Sequence, residues 1–535
     1  MFKKIKNQLN SALPLLFEMK TVSDIQQALF EYFKKNNKSD KKQVAKTVAI
    51  QCVEDDYYFS IFGQIALSLN ISQPITVDQI VFRSLNANES NSLVSFVWKR
   101  FIESPTLRKK WITLYNSFCR QVGFNSTGIQ PLNDMVDLYH SWKVWRNLTT
   151  KQSIIDLALH NIYVGDLIYD SYLRFKPSET VDIHNRYLWL IIWQAYRDIR
   201  RSQKYFSSVK PKLFLTSYTT YIQHGIPVRV ALNNDVRVFS FGNYQQFAKE
   251  LSNTDWSQTK NTDKYSKAYS VMENKDGKLA LADNAMTLRM SGQLDNATAY
   301  MKESAYRESN QVVPNVVQAI VIFLHDFYDS PHVYRSMLFP DFWEWICFTI
   351  DTLKNADIKF FIKPHPNQIK LSDKALDKLK NLYPEANFIS PKITNKQLVV
   401  AGMSCAVTVY GTVAHEMAYL GVPTIACGDN PHMSFNNICK LANSIEDYER
   451  LLLSFENFVV NKQNLRKESL AFYYMHNMYI SDAERLLVEK VCNNFRHKCD
   501  VTDNSDELVV DLYGISQLEA FQSYVFDWNN IIQGL

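Results

Sequence analysis

The sequence predicts an α/β protein of two halves, each a parallel, doubly wound sheet, with a cleft between them. Three observations lead there. Strand and helix signals alternate in two separate stretches, a pattern that implies crossover connections and parallel pairing. Residues 252–278, polar and with little apolar periodicity, lie between the stretches. The length, 535 residues, suits a few domains of roughly 100–200 residues each.

In the first half, Thr47–Val53 reads as a buried strand, Tyr57–Leu69 as the helix after it and Gln79–Phe82 as another strand. Helix is expected from about Ser92 to Arg120 and over most of 151–210. Lys212–Thr216 reads as a strand followed by a helix that stops near Gly225, and Val228–Leu232 and Val236–Phe241 complete the half. In the second half, Gln318–Leu324 is a strand ending in His325 and Asp326, and Asp341–Lys354 is a helix. Ile358–Ile362 is a strand running into Lys363-Pro364-His365-Pro366, and Ser372 caps a helix reaching Tyr383. Ala406–Val409 is a strand, Thr412–Leu420 a helix ended by Gly421, and Pro423–Cys427 the next strand. The expected division is 1–245 for the first α/β domain with helical additions and 246–312 for a connection or insertion. A second α/β domain then spans 313–460, and terminal helices at 461–535 pack back across the domains.

Composition narrows the function. Hydrophobic residues at 46% and charged residues at 21% are ordinary for a folded chain and argue against disorder. A net charge of +5 over this length is too mild to call for a nucleic-acid partner. With a mean hydropathy of −0.24 and no apolar run of roughly 18 residues, no membrane-crossing helix is expected. The first twenty residues lack a cleavage site for a secretory signal. Lys3, Lys4 and Lys6 beside Leu9, Leu13, Leu15, Leu16 and Phe17 leave two readings open there, an ordinary amphipathic helix or a segment resting on an anionic membrane. The eight cysteines form no CxxC pair, as suits reduced thiols in the cytoplasm.

The most informative segment runs from Val409 to Ile425; in and around it, Gly402, Gly411, Gly421 and Gly428 place four of the fourteen glycines within 27 residues. Gly411-Thr412 sits where a strand turns into a helix, so free backbone N–H groups, the positive helix end and a hydroxyl converge. That suits a phosphate, and a plain strand-to-helix turn remains the other reading. Glu416, four residues on, shares the helical face of Thr412 and can accept from a ribose diol or simply favour the helix dipole. His415-Glu416 opens like a zinc protease motif, but position 419 is Tyr and the motif fails. At Lys363-Pro364-His365-Pro366, the two prolines stiffen the strand end and present the imidazole at the edge where ligands of such sheets bind. Lys363 points to the same anion or to solvent.

His325, Asp326, Asp329 and His332 share one loop, which could orient a sugar, bind a divalent cation or form a hydrogen-bonded turn. Five of the eleven histidines fall between 325 and 432, in no zinc spacing, so no metal site is expected. In the first half, Asp166 and Asp170 lie on one helical face as candidates for a base or a nucleophile, with helix capping the alternative for Asp166. Tyr218, His224 and Arg229 are candidates for the cleft wall.

The pairing of KPHP with a downstream GTxxHE resembles bacterial capsular polysaccharide glycosyltransferases of the GT-B fold, and more loosely CMP-Kdo and CMP-sialic acid transferases. GDLIYDSYLR (165–174), AYMKESAY (299–306) and LHDFYDSPHVYRSMLFPDFWEW (324–345) are similar to the same capsule group. The likeness is strongest over about 160–440. It implies two Rossmann-like domains, the first on the acceptor side, and a nucleotide site of Lys363, His365, Pro366, Gly411, Thr412 and Glu416. It implies a CMP-activated ulosonic or nonulosonic acid donor, such as Kdo or a pseudaminic or legionaminic type, and no cofactor. The acceptor would be a capsule glycan or lipid-linked glycan, with catalytic candidates Asp166, Asp170, His325 and Asp326. Peripheral contact with the inner face of the cytoplasmic membrane or with capsule-assembly proteins fits that role. The chain departs from the sialyltransferase pattern in having Gly-Thr in place of a Ser/Thr pair, and it has no Asp-Asp-Gly-type acidic motif in its first half. A CDP-polyol phosphotransferase of teichoic-acid type and a non-catalytic capsule-assembly protein are the alternative functions.

Overall fold

The computed structural model describes residues 22–37, 46–82, 104–125, 130–176, 178–241, 246–293, 306–308, 310–334, 336–366, 368 and 370–535. The basic N-terminal segment and residues 92–103 of the expected long helix lie outside them. The chain divides into two compact units. One holds the described residues through 176, Asp182–Gln258 and Ser481–Leu535, and the other holds 178–181 and Thr259–Ile480.

The first unit is built on β1 (Lys46–Gln51), whose apolar and β-branched run is buried, followed by α1 (Asp56–Ser72). The Asp55 carboxylate accepts from the Tyr58 N–H at 3.1 Å and so starts α1. Then come β2 (Ile75–Val81), β3 (Gln121–Asn125), α2 (Pro131–Arg146), α3 (Gly165–Phe175) and α4 (Arg186–Val209). They lead to β4 (Leu213–Thr216), α5 (Tyr221–Asn233), β5 (Arg237–Ser240) and β6 (Lys249–Leu251). The sheet order is β3-β2-β1-β4-β5-β6, parallel except for β6, so the connection reverses direction between β1 and β4.

Two expectations fail here. The helix expected to stop near Gly225 continues through Gly225 and Pro227 to Asn233, so Val228–Leu232 are helical and buried rather than a strand. Gly225 serves a close approach: a Cβ there would lie 2.5 Å from Leu167 Cδ2 and from the Thr219 carbonyl oxygen. The stretch 246–312 is also no plain connection. Its β6 pairs antiparallel with β5, and its helix α6 (Lys275–Met290) belongs to the second unit.

The second unit carries β7 (Ile320–Phe323), α7 (Phe342–Asn355), β8 (Phe360–Lys363), α8 (Lys370–Leu382), β9 (Cys405–Thr408), α9 (Thr412–Tyr419), β10 (Thr424–Ala426) and β11 (Lys440–Leu441). Its sheet runs β8-β7-β9-β10-β11, all parallel, so the direction reverses between β7 and β9. In such sheets the crevice beyond the carboxyl ends at that reversal is where ligands bind. Ser372 does not cap α8 but lies inside it, its hydroxyl donating to Asp326 at 2.6 Å. After α10 (Lys462–Asn477) the chain returns to the first unit from Ser481, so the terminal stretch 461–535 is split between units. There α11 (Ser505–Ser516) and α12 (Glu519–Gln533) place Leu512, Phe521 and Trp528 in one core with Val48, Ile50 and Phe62.

Candidate functional site

The reversal point of the second sheet opens onto a cavity of about 300 Å³. Its walls include His325 after β7, Lys363, His365 and Pro366 after β8, and Gly411, Thr412 and Glu416 at the start of α9. Residues 38 or more positions apart in sequence thus meet because three parallel strands end side by side, Lys363 being paired with Phe323.

Gly411 precedes α9 with φ 110° and ψ −174°, a conformation that side chains disfavour. Its N–H donates to Asn430 Oδ1 at 3.1 Å, so Gly411 itself offers no donor to a ligand, contrary to expectation. Its role is to turn the chain into α9, whose first residues, Thr412 and Val413, line the cavity and have N–H groups without intrahelical partners. Asn430 is itself fixed, donating to the Gly428 carbonyl at 2.6 Å.

His325 is held inside this turn. Its ring stacks on Phe342 at 4.7 Å and 13°, and its Nε2 accepts the Tyr410 N–H at 3.4 Å and lies 3.1 Å from Thr408 Oγ1. Burial, with His365 nearby, lowers its pKa to about 3. The imidazole is therefore neutral and braces the β9–α9 turn, a structural task in place of the catalytic one expected of it. Asp326 Oδ1 accepts from Ser372 Oγ at 2.6 Å and from the Tyr328 N–H at 3.0 Å, so it too is a turn anchor. Burial lowers the pKa of His365, and the Asp326 charge opposes that shift. Pro366 is exposed beside it.

The floor of the cavity is a buried charge network. Glu416 Oε1 accepts from Arg289 Nη2 at 2.9 Å and from the Tyr306 hydroxyl at 2.6 Å, and its Oε2 accepts from Asn395 Nδ2 at 3.0 Å. Asn395 Oδ1 in turn accepts from Lys363 Nζ at 2.7 Å. Both Glu416 oxygens thus serve protein donors, which corrects the expectation that this carboxylate grips a ribose diol. Lys363 and Arg289, both buried, bring two cations to the network of Glu416, and Asp329 adds a second carboxylate to the cavity lining. Burial lowers the Lys363 pKa to about 8, and Glu416 opposes that shift. A buried lysine beside a helix N-terminus is an arrangement that suits an anion.

Arg289 and Asn395 carry no motif, Tyr306 ends the AYMKESAY segment without having been assigned a role, and Arg289 and Tyr306 both lie in the stretch read as a connection or insertion. Thr394, which caps Asn395–Val400 in a capping box with Gln397, was the sole local signal near Asn395. Among the described residues, no group of three or more His, Cys, Asp or Glu is placed to hold a metal ion.

The other candidates lie in the first unit. Asp166 forms a bidentate buried pair with Arg229, Oδ1 accepting at 2.6 Å and Oδ2 at 2.5 Å. The guanidinium lies over Trp256 at 4.7 Å and Tyr163 at 5.2 Å. A carboxylate needed to neutralise a buried arginine is not free to act as a base, so the catalytic expectation for Asp166 fails. Asp170 is buried one turn further along α3. At the reversal point of the first sheet, Gln51 Nε2 meets His224 Nδ1 at 2.7 Å, while Gln51 Oε1 accepts from Thr216 Oγ1, Ser217 N–H and Ser217 Oγ. Burial lowers the His224 pKa to about 4.

No family model and no curated protein matches the sequence. Among solved structures, the chain is similar to KpsC of Thermosulfurimonas dismutans, a beta Kdo 2,4 transferase, at 10% identity and a TM-score of 0.31, over 49% of this chain and 79% of that one. It is similar to the UDP-GlcNAc 2-epimerase of Neisseria meningitidis at 10% identity and a TM-score of 0.23, over 84% of this chain and 100% of that one. A putative UDP-N-acetylglucosamine 2-epimerase of Listeria monocytogenes gives 10% identity and a TM-score of 0.25, over 86% and 98%. At these scores no activity is carried across.

Proposed function

We propose that this protein is a glycosyltransferase that moves an ulosonic or nonulosonic acid from a CMP-activated donor to a growing capsule or surface glycan. One observation carries the reading: His365, Lys363 and the N-terminus of α9 converge on one cavity at the reversal point of a doubly wound sheet. The KPHP and GTxxHE motifs that resemble capsule transferases supply two of the three walls.

In transfer from such a donor, the acceptor hydroxyl oxygen bonds to the anomeric carbon and releases its proton to solvent, while the bond from that carbon to the phosphate oxygen breaks and its electron pair leaves with CMP. The charge that develops on the phosphate is met by the Lys363 ammonium, the His365 ring N–H and the N–H groups of Thr412 and Val413. These groups are fixed in advance, so the stabilisation needs no rearrangement at the moment of cleavage. Glu416 acts through others: it neutralises Arg289 and, through Asn395, aims Lys363. The cavity volume is at the lower end of small-ligand pockets, about 300–1,000 Å³, and suits the phosphate with the groups on either side of it.

The test pairs binding with turnover. Titration with CMP, CDP, UDP and GDP should show selective CMP binding, and CMP-Kdo or CMP-nonulosonic acids with lipid-linked acceptors should give a product of the added sugar mass. His365→Ala should lose about 10²-fold or more of the transfer rate while melting like the parent. Near-parental turnover by that variant, or selective stabilisation by UDP, rejects the assignment. Transfer of a polyol phosphate from a CDP-linked donor would replace it with the teichoic-acid reading.

A further inference from the structure

α2 (Pro131–Arg146) turns its carboxylates inward and apolar side chains outward, the reverse of an ordinary surface helix. Its two carboxylates, Asp134 and Asp137, are buried against α4, where Arg197 Nε meets Asp134 at 3.1 Å and Arg200 Nη2 meets Asp137 at 2.8 Å. Trp193 Nε1 donates to the Asp134 carbonyl at 2.9 Å and Trp189 Nε1 to Ser141 Oγ at 3.0 Å, which fixes the inward face.

The outward face carries Leu132, Met135, Val136, Tyr139 and Trp142, exposed by 44% at Trp142 to 82% at Leu132. Spacings of three and four residues place all five on one stripe, and Lys143 and Arg146 fall on the same stripe. Tyr139 and Trp142 stack with ring centroids 6.5 Å apart, and Lys143 Nζ sits 4.8 Å over the Tyr139 ring. The helix therefore offers water an apolar, aromatic and cationic surface with no carboxylate of its own. An exposed apolar stripe of this size marks an interaction surface.

Charge selects the occupant. The groups left outward are those that settle at a lipid headgroup layer: aliphatic side chains below it, Tyr and Trp at its level, Lys and Arg against its anions. We propose that the outward face of α2 docks the protein on an anionic lipid bilayer, lying in the headgroup plane. The proposal is independent of which donor the cavity takes.

The test uses the full chain and sedimentation with vesicles of phosphatidylcholine, alone or mixed with phosphatidylglycerol. The parent should bind the mixed vesicles and be released by salt. Combined Leu132→Gln, Val136→Gln and Trp142→Gln substitution should weaken binding roughly tenfold or more, and Lys143→Glu with Arg146→Glu should do the same on mixed vesicles only. Should the combined variant fail to fold, brominated lipid supplies a second readout. It should quench the parent's fluorescence more than that of Trp142→Phe. Binding that survives these substitutions, that is lost only on removing residues 1–20, or that is absent while the same substitutions dissolve a dimer, overturns the proposal.

Discussion

Lys363 combines two properties that oppose each other in water-filled sites, deep burial and a positive charge. Burial lowers its pKa to about 8, so the ammonium predominates at neutral pH and is lost as the pH rises through that value. A bound phosphate favours the charged form, so affinity follows the fraction of free protein already protonated at Lys363. Between pH 7 and pH 9 that fraction falls about tenfold, and CMP binding measured by calorimetry should weaken by the same factor. Lys363→Met should bind weakly at both pH values with a flat profile; a flat profile in the parent removes Lys363 from the site. The residues that sequence placed correctly at the cavity, His365 and Thr412, sit at strand ends, where backbone chemistry is written locally. Glu416 was legible as a cavity-side residue but not as to its task, because spacing gives a helical face and not the partners across it. Arg289 and Asn395 were illegible for the same reason, since only the fold brings them to Glu416.

At the scale of elements, the turn into α9 decides whether the site exists. Gly411 holds φ 110°, and a Cβ there would meet His325 Cε1 at 3.6 Å, an ordinary contact. The cost of Gly411→Ala is therefore one of backbone conformation, about 1–3 kcal/mol. Denaturant unfolding should show a loss of that size, and CMP affinity should fall as the Thr412 and Val413 N–H groups are re-aimed. Unchanged values for both would mean that the turn tolerates a side chain and does not set the site. Elements themselves were read well where alternation was regular, as in β7 to β10. They were misread at α5, where Gly225 and Pro227 imitate a helix stop. Gly225 is there for the closeness of Leu167, and close packing between distant segments leaves no local periodic trace.

For the whole molecule, the division of the chain was the least legible feature. Local signals place a boundary near the polar stretch, yet the first unit is closed by residues from Ser481 onward. Leu487, Val491, Phe495, Leu512, Phe521 and Trp528 are buried in the same core as Val48, Ile50 and Phe62. Burying each is worth about 1.5–3 kcal/mol, so together they match a typical domain stability of about 5–15 kcal/mol. A chain ended after Ile480 should leave the first unit open. Limited proteolysis should cut it throughout 46–258 while sparing 259–480, and equal protection of both regions would refute this.

Synthesis proceeds from one end, and that fixes a schedule. The strands of the first sheet leave the ribosome early but wait, with an apolar flank uncovered, until Trp528 has emerged. The later-encoded unit can close around its own sheet before then. The half of the protein that is translated first is thus the half that finishes last, and the interval between is when it most needs a chaperone.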